Sequence, residues 1–186
     1  MRIMRIGRAN AIASLWGFAE ATVFFIVPDV LLSWLALRSP KSGLIACLFA
    51  LLGALIGGSA MWLWGRFEPD SARTIFELLP AIGAASIASV QKQLADSGIT
   101  ALFLGTLGGT PYKIYAVEAA NLGYGLAIFL AVSIPARLTR FVRVTIVSGV
   151  ASRVLRRRFS MRTVQMIHVG CWAVFYAWFF TVMADS

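Results

Sequence analysis

Charged side chains that stand inside apolar stretches of this 186-residue chain include Glu20, Asp29, Lys113, Arg137 and Arg140. Arg137 and Arg140 are three residues apart and so share one helix face. Their planar guanidinium forks suit two-pronged contacts to phosphate, and Lys113 offers the same ligand a point charge. Carboxylates in apolar surroundings are suited to exchanging protons or sensing a charged headgroup. The chemistry these types allow is attraction of an anion against a titratable counter-charge. A structural reading stands beside it. Glu20 and Asp29 can cap a broken helix or pair with Arg137 or Arg140, and Lys113 can pair with Glu118. Arg140 and Arg143 can snorkel toward an interface, and the lone His168 reads as interfacial.

Catalysis has little to stand on. No nucleophile–base pair, paired cysteines or set of metal ligands is visible, so neither enzyme activity nor a cofactor or metal is expected. Cys47 and Cys171 lie in separate apolar runs and read as packing residues.

Hydrophobic residues make up 59% of the chain and mean hydropathy is +0.80, the composition of an integral membrane protein with a single membrane domain. Seventeen Lys and Arg against eight Asp and Glu give a net charge of +9. The excess falls mostly at the ends of apolar runs, where orientation and anionic headgroups explain it, and no nucleic-acid partner is expected. Arg2, Arg5 and Arg8 ahead of an apolar run imitate a signal peptide. Without a small-residue cleavage site, the segment is expected to be retained.

The elements that must position the five charges follow from the breaks between them. Ile12 to Leu37 would be about 39 Å long as one helix, more than a bilayer core of about 30 Å requires. A bend at Val27-Pro28-Asp29 removes that excess and starts a helix at Asp29, where the carboxylate can cap free N–H groups. Residues 99–122 repeat the design around Gly108, Gly109, Pro111, Tyr112 and Lys113. In hydrocarbon, irregular backbone survives only against protein or a wet cavity. Each broken run therefore reads as a re-entrant hairpin, followed by a span at Gly43–Trp64 or Tyr124–Val150.

The expected fold is thus an all-α integral membrane protein built as an inverted repeat. Residues 12–66 form the first hairpin-plus-helix unit, and 99–150 form the second. The linker 67–98 carries two surface amphipathic helices divided at Pro80, and 163–183 add a C-terminal transmembrane helix. Small residues along the first span, with Gly53 and Gly57 on one row and Ala46, Ala50, Ala54 and Gly58 on the next, permit close helix packing. Arg153 to Arg162 and the N-terminus are expected on the cytoplasmic side of a bacterial inner membrane. The positive-inside rule holds equally for hairpins and for full spans, so it does not choose between them.

Two stretches resemble the DedA superfamily, also described by its VTT domain, and its YqaA-like branch in particular. One is Phe18-Ala19-Glu20 followed by Pro28-Asp29-Val30-Leu31-Leu32. The other is Pro111-Tyr112-Lys113 followed by Arg137-Leu138-Thr139-Arg140-Phe141. The chain departs from the family pattern at Phe25, Val27, Thr106 and Asn121. The resemblance implies hairpins meeting near the bilayer centre and movement of lipids between leaflets. For bacterial members it implies proton-coupled transport of phospholipids or polyprenyl-phosphate carriers. Membrane lipids with anionic headgroups, and protons, are then the expected partners, and a homo-oligomer is compatible with the sequence. A small-solute or ion-coupled transporter and a non-transporting membrane-organising protein are the alternatives.

Overall fold

The computed structural model describes residues 2–79 and 82–184, so the expected divider Pro80 lies outside the described residues. Those residues form nine α-helices and one 3₁₀ turn, with no strand among them. The helices are α1 (Arg2–Ala21), α2 (Asp29–Arg38), α3 (Pro40–Phe67), α4 (Pro69–Glu77) and α5 (Ala84–Ser97). After the turn Gly98–Thr100 come α6 (Ala101–Leu107), α7 (Tyr112–Asn121), α8 (Leu126–Leu155) and α9 (Met161–Ala184). The order helix, break, short helix, long helix therefore occurs twice. α3 and residues Met161–Thr181 of α9 are long and apolar enough to cross a membrane.

Both breaks fall at the expected prolines. Pro28 and Pro111 sit at the position just before a helix, where their missing N–H costs nothing. Gly109 adopts φ 103°, a conformation that side chains rarely allow. α8, in contrast, runs straight through Pro135. α1 begins well ahead of the apolar run, at Arg2, and both long helices extend past the apolar stretches that announced them.

α3 is the central post. Its small-residue rows take two neighbours: a Cβ at Gly53 or Gly57 would meet the α1 backbone at Ser14 or Phe18, and one at Gly58 or Gly65 would meet Tyr112 or Val117 of α7. α7 is buried on every side from Tyr112 to Ala120, as a helix held at the centre of a bundle must be. Its ten residues span about 15 Å, half a bilayer core. α8 packs on α2, where the Ser152 hydroxyl donates to the Leu37 carbonyl at 2.7 Å, and on α3 through the Cys47–Thr145 contact at 3.1 Å. α9 touches the bundle along one side only, leaving Val174 70% and Trp178 60% exposed.

Candidate functional site

All five charged residues converge where the two breaks face each other. Glu20 ends α1, Asp29 opens α2, Lys113 lies in the first turn of α7, and Arg137 and Arg140 project from one face of α8. Arg137 grips Glu20 with both terminal nitrogens, one of them 3.2 Å from Oε1. Arg140 Nε donates to Asp29 Oδ2 at 3.0 Å, and its Nη1 reaches the Thr106 carbonyl at 3.4 Å. Lys113 Nζ donates to the Phe24 carbonyl at 2.7 Å. Three cations against two carboxylates leave the cluster with one formal positive charge in excess.

The pairing chooses among the readings that the sequence left open. Asp29 does begin a helix, but its carboxylate makes no cap bond there and turns to Arg140 instead. Lys113 and Glu118 do not pair: five residues along a helix is about 140° round the axis, so they point apart. Arg137 and Arg140 share a face without sharing surroundings. Arg137 is fully buried, with its guanidinium carbon 4.9 Å from the Tyr112 ring centre and 4.8 Å from that of Phe141. Arg140 is partly exposed and borders open space.

That space is a cavity of about 540 Å³. Glu20, Lys113 and Arg140 supply its charge, and Phe24, Phe25, Phe175 and Phe179 much of its apolar wall. The break segment from Gly108 to Pro111 contributes backbone to the lining, and α5 contributes Ser86 and Ser89. Arg137 does not line it. Arg137 instead holds Glu20 and lies over the ring of Tyr112, whose hydroxyl donates to Ser133 at 2.9 Å.

The backbone of the first break is satisfied from three directions. Trp16 Nε1 donates to the Ile26 carbonyl at 2.8 Å, the Val27 N–H donates to the Tyr176 hydroxyl at 3.0 Å, and Lys113 takes the Phe24 carbonyl. Such closure is what irregular backbone needs away from water.

Sequence reasoning missed how two polar groups are partnered. Glu118, 1% exposed, accepts from Arg73 on α4 at 2.8 and 2.7 Å and from Gln91 on α5 at 2.9 Å. The linker helices are thus latched to α7. Hydrogen bonding to Glu118 holds the Arg73 pKa above its ordinary value, against a smaller opposing effect of burial. The signal was available: Glu118 is the one carboxylate in the second apolar run, and Arg73 lies on the most polar segment. The second group is Ser33, His168 and Trp172, which ties α9 to α2 with Ser33 Oγ 2.8 Å from His168 Nε2. Nothing in the sequence marks that contact, since its partners lie 135 residues apart.

The chain is similar to a protein of Haemophilus influenzae that is described only as uncharacterized. The two are 24% identical over 157 residues, which is 84% of this chain and 79% of that protein. No family model and no solved structure matches the chain.

Proposed function

We propose that this chain is a DedA-like multi-pass protein of the bacterial inner membrane that moves anionic lipids between leaflets. The candidate cargoes are phospholipids and polyprenyl-phosphate carriers. In this reading the two broken runs are re-entrant hairpins in inverted repeat, and the N-terminus is cytoplasmic. The observation that carries it is the cavity of about 540 Å³ at the meeting of the breaks, bordered by Glu20, Lys113 and Arg140 and walled by aromatic rings. An excess positive charge beside an apolar wall suits a phosphate headgroup attached to hydrocarbon. Charged groups at broken helices in matching positions of two halves are a feature of substrate paths. The breadth of exposed apolar surface, from Leu15 to Phe180, fits lipid as the surrounding medium.

A second reading, a membrane-organising protein without transport, has one observation behind it: both carboxylates already hold arginine partners. Leaflet exchange of labelled phospholipid and polyprenyl-phosphate in proteoliposomes decides between the two. The wild type is expected to exchange one of these probes. Lys113→Gln, which keeps a donor for the Phe24 carbonyl but removes the charge, is expected to slow exchange at equal protein abundance. A wild type no faster than empty vesicles with every probe ends the transport reading.

A further inference from the structure

The N-terminal end of α3 borders a hollow that shares no lining residue with the cavity at the breaks. Its volume is about 340 Å³, and it lies where the end of α2, the start of α3 and the last turns of α8 meet. The floor is closed. The Ser152 hydroxyl donates to the Leu37 carbonyl at 2.7 Å, and Gly149 lets α8 come close to α3, since a Cβ there would lie 3.1 Å from the Pro40 ring. The rim is Arg38 from α2, with Arg153, Arg156 and Arg157 from the end of α8 and the turn after it.

The fold selects these arginines. Gly149, Ser152, Arg153 and Arg156 succeed one another at helical spacing on one face, whereas Arg158 and Arg162 of the same basic run do not border the hollow. Among the described residues no carboxylate pairs with any of the four. Glu20, Asp29 and Glu118 are held by Arg137, Arg140 and Arg73. Glu68 and Asp70 lie past the other end of α3, about 40 Å along the axis of a helix of 28 residues. Glu77 and Asp96 belong to the linker helices. Arg38 has the neutral Gln165, its Nη2 3.3 Å from Oε1. The negative end of a helix favours an arginine in its last turn, which accounts for Arg153. It does not account for four cations round one hollow, whose mutual repulsion no described carboxylate offsets.

We propose that this hollow binds a phosphate-bearing anionic headgroup, at a site separate from the cavity at the breaks. Guanidinium forks brought from two helices suit a group with several charged oxygens, and basic pockets between helices at a membrane surface take such headgroups. A lipid and a free phosphate share this chemistry, and the surroundings favour the lipid. Pro40 lines the hollow, and Leu44 and Leu48, four and eight residues on, continue its row along α3 as exposed apolar side chains. A headgroup at the arginines leaves its acyl chain along that row. The site requires the bilayer placement of the reading above and not its transport. A lipid bound here ties the ends of α2, α3 and α8 together.

Thermal unfolding of the full-length protein in neutral detergent tests the site. The probe is diphosphatidylglycerol, whose two phosphates oppose several guanidiniums at once, and phosphatidylcholine is the zwitterionic control. A ligand of the folded state raises the melting temperature by mass action, and titration gives an apparent dissociation constant. Each variant is compared with its own lipid-free melting temperature. Arg153→Gln with Arg156→Gln is expected to raise that constant about tenfold or more. Arg158→Gln with Arg162→Gln removes equal charge from the same run outside the hollow, and is expected to change it less than about twofold. Equal weakening by the two pairs, or equal stabilisation by phosphatidylcholine, overturns the proposal and leaves a basic surface only. Soluble pyrophosphate tests the source: Arg153-dependent stabilisation by pyrophosphate and none by the lipid overturns the assignment to a lipid. Arg153-dependent lipid binding with no leaflet exchange by the wild type sinks the translocation reading and supports this site.

Discussion

Lys113 Nζ sits 2.7 Å from the carbonyl oxygen of Phe24, so a cation at the second break closes a backbone acceptor in the first. That bond joins residues 89 positions apart in the chain and is one of the links between the two halves. Lys113→Met leaves the carbonyl without a partner and is expected to cost about 1–3 kcal/mol. Thermal unfolding in detergent reads the loss. A melting temperature equal to wild type would mean that the carbonyl finds another donor and the bond does not hold the halves together.

The Glu20–Arg137 pair is buried on both sides. Removing one partner strands the other charge, and Glu20→Gln or Arg137→Met alone is expected to cost about 3–5 kcal/mol. The double variant should be less damaging than the sum of the two, because no charge is left unmatched. Arg137→Lys is expected to behave as a loss: a point charge cannot span both carboxylate oxygens or lie flat between Tyr112 and Phe141. Additive single-site effects in the double-variant cycle would show that the pair is not coupled.

Gly58 is where a methyl group has nowhere to go, since its Cβ would fall on the Tyr112 ring. That ring stacks on Phe129 at 5.6 Å and supports Arg137. Gly58→Ala is expected to destabilise by about 1–3 kcal/mol through overpacking. Gly170→Ala, with nothing within 4 Å, should be neutral or slightly stabilising in its helix. Comparison of the two unfolding curves checks the claim, and equal stability of both variants contradicts it.

The latch between Arg73 and Glu118 makes a prediction about motion. Glu118→Gln weakens the two-pronged contact while preserving shape. Amide hydrogen exchange should then rise in α4 and α5 and remain unchanged in α3 and α8. A uniform rise across the bundle would instead mark Glu118 as a general support of the fold.

Topology can be tested at two exposed positions, Lys41 and Ser71. In the hairpin reading, a cysteine at 71 faces the periplasm and one at 41 the cytoplasm. An impermeant thiol reagent applied to intact cells should label 71 alone. Labelling at 41 but not 71 means that both broken runs cross completely.

The helices and their breaks were legible in the sequence because proline and glycine act locally, and Pro28, Gly109 and Pro111 needed no tertiary information to be read. The cluster of five charges was legible for a different reason. A charge in an apolar run is costly, so each one calls for a partner wherever the fold can supply it. What could not be read was who pairs with whom. Glu20 chose Arg137 and Asp29 chose Arg140 because of how α8 crosses the two broken runs, and spacing along the chain contains no record of that crossing. The different surroundings of the two arginines followed from the same cause. One is sealed between Tyr112 and Phe141, and the other is left beside open space, although both lie on one face. His168 was hidden for want of any local pattern, its partner lying on a helix far away in the chain.

The bond from the Val27 N–H to the Tyr176 hydroxyl has a consequence for biosynthesis. Its partners are 149 residues apart, so the first break emerges from the ribosome long before the residue that completes it. At about 5–20 residues per second, the delay is roughly 7–30 s. During that interval Val27 must borrow a partner, from water, from a chaperone or from the insertion machinery. A nascent chain that stops short of α9 would therefore be recognisable to quality control by an unfinished turn near its beginning.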